Sequence, residues 1–482
     1  MARALRTMTA VAALLALAGC RDAATGPVAV SAIGGPPQML NPNLRPLDPP
    51  SAFLLDATAQ GLVRFNAAGE IEPALAQSWI VSDDGLRHTF RIRRTTWSSG
   101  ERVTAAQVVQ RLSATLSRAS RNRLKPVLGA IEDIEAMTDE VLEIRLRGPR
   151  PNFLQLLAQP EMAILFRSEG TGPYRIIPAN LPPLRLSLPA GDEEDGEPTI
   201  PDILLRGESA ALAVARFGED EADLVTGGTA GDLPIARAAR LPANRLVLDT
   251  VQGLFGFAFV SIDGPLADPA IRQALSMAID REAIAAALQL PRLDLRASLV
   301  PGGIAEMPQS TSPDWVSAPL PMRRERAAAA IAALGLTERL RLRVAMPNAP
   351  GYRLAFARLR RDWAAIGVEA ERVAPGAEAE LRLVDEVAPA SSAVWYLRHF
   401  TCEAGPVCDP VADEALQAAR LAPTAAERRA ALLRADAALT TLSPFVPIGA
   451  PVRWSLVTPR LTGFRPNQFA RHPASELIAG EF

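Results

Sequence analysis

The sequence predicts an α/β protein built from several domains. Two stretches read strand, helix, strand, at 202–225 and 323–373, which is the pattern of crossover units in parallel sheets. A third, from Pro73 to Leu116, reads instead as a hairpin followed by a helix, the mark of a separate antiparallel unit. At 482 residues the chain is long enough for two to four domains, each with its own core. A hydrophobic content of 48% and a charged content of 22% belong to an ordinary globular protein. The formal charge of −2 removes a general electrostatic case for nucleic-acid binding. Only Lys125 among the 51 basic residues is a lysine, which fits a codon-biased genome.

The first twenty residues stand apart. Arg3 and Arg6 precede an apolar run from Met8 to Ala18, too short to span a bilayer and suited to a secretory signal. The run ends Leu17-Ala18-Gly19-Cys20, which resembles a bacterial lipobox. That resemblance implies cleavage before Cys20 and a diacylglycerol on its thiol. Two acyl chains, at about 0.8 kcal/mol per buried methylene, suffice to hold a protein at a membrane surface without a spanning helix. The other reading is a plain signal peptide with an incidental cysteine.

Taken in order, Val28–Ile33 is an apolar strand, followed by the proline-rich 34–42. In the central hairpin Leu86, His88, Phe90 and Ile92 alternate with Arg87, Thr89, Arg91 and Arg93, giving a strand with one dry face behind the turn at Asp84-Gly85. Thr104 followed by Gln107 forms a capping box, and Val108, Val109, Leu112 and Leu116 share one helical face. Two strands are expected within 131–146, around Thr138-Asp139, and a short helix at 153–157. Gly170-Thr171-Gly172-Pro173-Tyr174 lacks the Lys-Ser/Thr and the helix that a phosphate loop needs. The acidic 191–198 lacks the ligand spacing of a calcium loop and reads as a solvated turn.

The unit at 202–225 predicts a parallel pair of strands with a crossover helix. After a strand at 255–260, Asp268 can cap a helix with Pro269 in its first position, and Ile271, Leu275 and Ile279 align on one face. Beyond the proline-dense 291–321, a helix to Leu334 stops at Gly335, a strand follows at 340–346, a helix ends at Gly367, and a strand covers 368–373. Helices are expected at 410–421 and 425–439, and closing strands at 445–448 and 457–461.

Cys402 and Cys408 lie six positions apart. An exported protein meets an oxidising compartment, so a disulfide leads over two free thiols and over a metal site, for which His399 is the nearest histidine and the spacing fits no zinc pattern.

Several of these runs carry a resemblance. Residues 73–109 follow a "Trp, Ser-Asp-Asp-Gly-Leu, Thr-Phe, Gly-Glu-x-Val-Thr-Ala" order, 170–174 a Gly-Thr-Gly-Pro-Tyr loop, and 268–282 the string Asp-Pro-x-Ile-Arg-Gln-Ala-Leu-Ser-x-Ala-Ile-Asp-Arg-Glu. Together they resemble the extracytoplasmic solute-binding proteins, family 5, of ABC importers, which include the dipeptide- and oligopeptide-binding proteins. The resemblance implies a periplasmic-binding-protein-like fold of type II (cluster C), with two hinged lobes, mixed sheets and an extra small domain. It implies domain I from 21–45, 160–250 and 455–482, the small domain II from 46–159, and domain III from 251–454, after a signal at 1–20.

Its functional implication is a monomer on the extracytoplasmic or periplasmic side, anchored through Cys20, that closes on a peptide or other small solute. The solute passes to an ABC permease with its ATPase, without a cofactor, a metal or a bond made or broken. Many members carry Trp-x-x-Asp in domain III, with the aromatic as a pocket wall and the carboxylate pairing with a peptide's amino terminus. Here Phe400-Thr401-Cys402-Glu403 stands in that place, after Trp395, Tyr396, Arg398 and His399, so these six side chains other than Thr401 and Cys402 are the expected ligand site. The competing reading makes the aromatics core residues and Glu403 a loop charge. As a function, a lipoprotein of the same fold serving as sensor or chaperone is the alternative. An exported hydrolase finds no Gly-x-Ser-x-Gly or His-Glu-x-x-His to support it.

Overall fold

The computed structural model describes residues 26–178, 181–189 and 200–478. The signal, Cys20 and the acidic run at 191–198 therefore lie outside the described residues.

Three larger sheets organise the chain. The first has seven strands, in the order Leu246–Asp249, Arg453–Val457, Leu224–Thr229, Val28–Ile33, Ile203–Glu208, Leu184–Ser187 and Arg175–Ile177. Its middle three strands are parallel and its flanks antiparallel. The second is a four-stranded antiparallel sheet of Ala76–Val81, Arg87–Ile92, Val141–Leu146 and Ile131–Ala136, beside a small ribbon of Val63–Phe65 and Ile71–Pro73. The third has five strands, Val368–Val373, Leu340–Ala345, Leu381–Val387, Gly253–Phe259 and Phe445–Gly449.

Local chemistry explains the second unit. His88, Phe90 and Ile92 turn inward from their strand while Arg87 and Arg91 on the other face are exposed. The helix Ala105–Leu116 begins with the reciprocal cap: Gln107 N donates to Thr104 Oγ1 at 3.4 Å, and Thr104 N donates to Gln107 Oε1 at 3.1 Å. Val108 and Leu112 then reach a core that also holds Trp97, Leu142 and Phe153. The helix Pro269–Met277 likewise starts with Asp268 accepting from Ala270 N at 2.8 Å and Pro269 in the first turn. Gly172 needs to be glycine for close approach. Its N–H donates to Thr58 O at 3.0 Å at the end of the helix Pro49–Thr58, and a Cβ there would meet Ala57 O at 2.6 Å.

Two expectations are corrected. The strands Ile203–Glu208 and Leu224–Thr229 are parallel but do not pair with each other; each pairs with Val28–Ile33 from opposite sides. The amino-terminal strand takes the centre because Val28, Val30 and Ala32 are all 0–1% exposed and need cover on every side. The closing strand is Arg453–Val457, not 457–461. Pro459 has no N–H for a ladder, and Thr458 N already donates to Asp223 O at 3.0 Å. The sequence reading also passed over Leu381–Val387, which runs antiparallel to Gly253–Phe259 and parallel to Leu340–Ala345. Arg382, Asp385 and Glu386 dilute its apolar alternation.

The chain passes between the seven- and five-stranded sheets over residues 250–252 and 450–452, two short crossings side by side. One buried cluster runs through both, from Val225, Ala230 and Leu233 to Phe255, Trp363 and Trp454.

Candidate functional site

A cavity of about 790 Å³ opens between the segment 120–156 of the second unit and the segments 389–404 and 413–428 of the third. That volume is in the range of sites that enclose small molecules.

Three helices position its far wall. Pro410–Leu421 begins at Asp409, whose carboxylate accepts from Val411 N at 2.8 Å, and ends with Arg420 at the cavity. Ala425–Leu442 begins at Thr424, whose hydroxyl accepts from Glu427 N at 3.2 Å, and turns Arg428 inward. Ala393–Leu397 has no cap of its own. Glu306 supplies one from 87 residues away, Oε1 accepting from Ala393 N at 2.6 Å and from Ser392 Oγ at 2.8 Å. Its other oxygen accepts from Arg428 Nε and Nη2 at 3.0 and 2.8 Å, so the pair is both buried and fully bonded.

The expected site residues divide here. Trp395, Arg398 and Glu403 line the cavity, Trp395 as a buried wall and Glu403 at an exposed position. Phe400 points away into the core, with its ring 5.6 Å from that of Phe445. Tyr396 is 1% exposed, and burial pushes its hydroxyl up to about 12. His399 packs edge-on against Trp395 at 4.6 Å. Its Nδ1 lies 2.7 Å from Trp395 O and its Nε2 3.5 Å from Glu386 Oε2. That contact holds the Glu386 carboxyl below its ordinary range. Cys402 and Cys408 are joined by a disulfide, with Cα atoms 4.9 Å apart, that closes the loop between Phe400 and the helix at Pro410.

Sequence reasoning missed the cavity's other arginines. Arg150 and Arg420 come from segments 270 residues apart, and nothing local marks them. Arg428 did leave a signal, since it shares a helical face with Ala431, Leu432 and Ala435, and an arginine on an apolar face requires a partner.

The near and far walls are tied by polar contacts. Gln159 Nε2 donates to Pro389 O at 2.8 Å, Ser391 N donates to Gln155 Oε1 at 3.0 Å, and Asn152 Nδ2 donates to Ser391 O.

A second, smaller cavity of about 260 Å³ lies near the crossings, and each basic side chain in its lining is paired with a carboxylate. Arg453 Nη1 meets Asp385 Oδ1 at 2.7 Å, and the Tyr352 hydroxyl donates to Asp385 Oδ2 at 2.7 Å. Arg123 and Arg471 flank Glu161 at 2.8 and 3.8 Å, and His472 sits 3.3 Å from Asp249. Burial raises Asp56 to about 6 against the opposing pull of Arg471. Among the described residues, no group of three or more His, Cys, Asp or Glu side chains is placed to hold a metal ion. No helix among them is long and apolar enough to cross a membrane.

The sequence model described as bacterial extracellular solute-binding proteins, family 5 Middle, matches residues 70–382. The nickel-binding periplasmic protein of Escherichia coli K12 is 27% identical over 266 residues, 51% of this chain and 50% of the relative. The chain thus spans about half the length of the curated relatives it matches. Among solved structures, the murein tripeptide binding protein MppA of Escherichia coli superposes with a TM-score of 0.82 at 18% identity, covering 95% of this chain and 99% of the other. The Haemophilus influenzae OppA complex with the peptide RPPGFSPFR gives 0.80 at 17%, covering 94% and 98%. At these identities the likeness establishes the two-lobed fold.

Proposed function

We infer the role of this chain from the family it belongs to, the bacterial extracellular solute-binding proteins of family 5: it encloses a peptide or a similar small solute between its lobes and delivers it to the permease of an ABC importer. The 790 Å³ cavity is the observation that carries this reading. Its walls come from separate units, so a solute touching both favours the closed arrangement by its differential contacts. The crossings at 250–252 and 450–452 serve as the hinge between domain III and a domain I that takes in the whole strand Arg453–Val457, two residues more than the bound of 455 gives it. Cys20 carries a lipid that keeps the protein at the extracytoplasmic face of a membrane. Binding makes and breaks no covalent bond, in keeping with relatives named for what they bind.

Within the cavity Trp395 offers a flat apolar wall and Glu403 a carboxylate for the amino terminus of a peptide. Calorimetric titration of the full chain with di- to pentapeptides is expected to show saturable one-to-one binding. Glu403→Ala then weakens an amino-terminal ligand by about tenfold or more, or about 1.4 kcal/mol. Unchanged affinity would remove Glu403 from the site, and turnover of a bound solute would overturn the reading as a whole.

A further inference from the structure

The charges around the large cavity do not balance. Arg121, Lys125, Arg150, Arg398, Arg420 and Arg428 line it, against Glu306, Glu403 and Asp413. Glu306 is committed to Arg428 and to the helix it caps. Asp413 Oδ2 accepts from Cys402 N at 3.1 Å. What remains is a cluster of cations with carbonyl partners or none.

Arg150 donates to its neighbour Pro149 O at 2.8 Å and across the cavity to Arg420 O at 2.9 Å, so its hydrogen-bonding capacity is partly met while its charge is not. Arg420 makes no side-chain hydrogen bond to the described residues, and its Nε is buried without a partner. Its guanidinium lies over Gly129, where a Cβ would come within 3.5 Å of Cζ. Arg398 is in the same condition: its Nε is buried and unpartnered, and no carboxylate of the described residues lies within ion-pair distance, although Glu386 and Glu403 act on it from farther off. Burial lowers Arg398 and takes Arg150 down to about 10, with Arg428 adding to the effect on Arg150. Desolvated cations of this kind cost free energy in the empty site and are stabilised by an anion that reaches them.

The geometry points to an acidic solute, one that carries at least two carboxylate or phosphate groups and places them against Arg150, Arg398 and Arg420. This rests on the solute-binding role inferred above and narrows its ligand class. Glu403, at an exposed position beside the cluster, leaves room for an ammonium on the same molecule. An arginine fork takes such groups two oxygens at a time, and two or three forks from opposite walls read both the charge and the spacing of the acids.

The test is a panel titrated against the full chain: trialanine, triglutamate, trilysine, citrate and fructose 1,6-bisphosphate. Triglutamate is expected to bind about tenfold or more tightly than trialanine, or about 1.4 kcal/mol, and to lose that advantage as salt rises. Citrate against fructose 1,6-bisphosphate, which carries two phosphates, separates carboxylate from phosphate recognition. Arg398→Gln should cost the acidic ligands about tenfold, while Arg398→Lys, which keeps the charge, should retain part of it. Thermal melts of both variants verify that they fold. Trialanine or trilysine binding as tightly as the acids, or acidic binding indifferent to both Arg398 variants, would overturn the inference and leave the solute-binding role standing. Failure of all five ligands to bind would count against both.

Discussion

The two cavities are lined by similar residues and differ in how those residues are spent. Near the crossings each cation has an anion at hand: Arg453 with Asp385, Arg123 and Arg471 with Glu161, His472 with Asp249. In the larger cavity, among the described residues, only Arg428 has one; Arg150 reaches carbonyl oxygens alone, and Arg398 and Arg420 make no side-chain ion pair. A buried charge whose partner is already in place serves the fold, since removing either member strands the other. A charge left without a partner in a cavity contributes little to the fold and is available to a guest. The contrast separates charges that serve the fold from charges open to a guest without reference to any relative.

The strongest way to break the comparison is at Asp385. It accepts from Arg453 and from the Tyr352 hydroxyl, and Arg453 is mostly buried. Asp385→Ala should destabilise the protein by about 3 kcal/mol or more, measured by urea unfolding. A loss below about 1 kcal/mol would mean that the network near the crossings is ornamental.

A smaller effect is expected at Asp56, whose folded-state value of about 6 lies above its ordinary 3.8. A raised value means that the folded state binds the proton more tightly than the unfolded one. Stability tied to this group is therefore present below about pH 4 and is lost as pH rises through about 6. Asp56→Asn should match the parent at pH 4 and exceed it by about 1 kcal/mol at pH 7, read from paired melts across that range. A variant less stable than the parent at pH 7 would show that the charge on Asp56 is wanted by Arg471.

The smallest effect sharpens the comparison from the other side. Arg398→Gln removes a desolvated cation that has no ion-pair partner among the described residues, so folding stability should change by no more than about 0.5 kcal/mol, or rise. A loss above about 2 kcal/mol would place Arg398 with the structural charges.

How much of this was legible beforehand depended on range. The cap at Thr104, the Asp268-Pro269 start and the stops at Gly335 and Gly367 rest on neighbours within four residues, and each falls where the sequence puts it. The central place of Val28–Ile33 was hidden, because strand order depends on segments almost 200 residues away. In the candidate site the sequence led to Trp395, Arg398 and Glu403 through one local run. It could not distinguish Phe400, turned to the core, from Trp395, turned to the cavity, since both are aromatics on one short helical stretch. The arginine cluster was invisible for the same reason as the strand order: Arg150 and Arg420 meet only after the lobes do.

The strand Arg453–Val457 lies between Leu224–Thr229 and Leu246–Asp249, so a segment far downstream completes a sheet begun at Val28. Until it emerges, the amino-terminal lobe has an open slot with two unsatisfied strand edges. Closing that slot needs a segment far downstream of Val28, so the seven-stranded sheet cannot be finished from the amino-terminal part of the chain alone, and its folding must wait on a long-range contact.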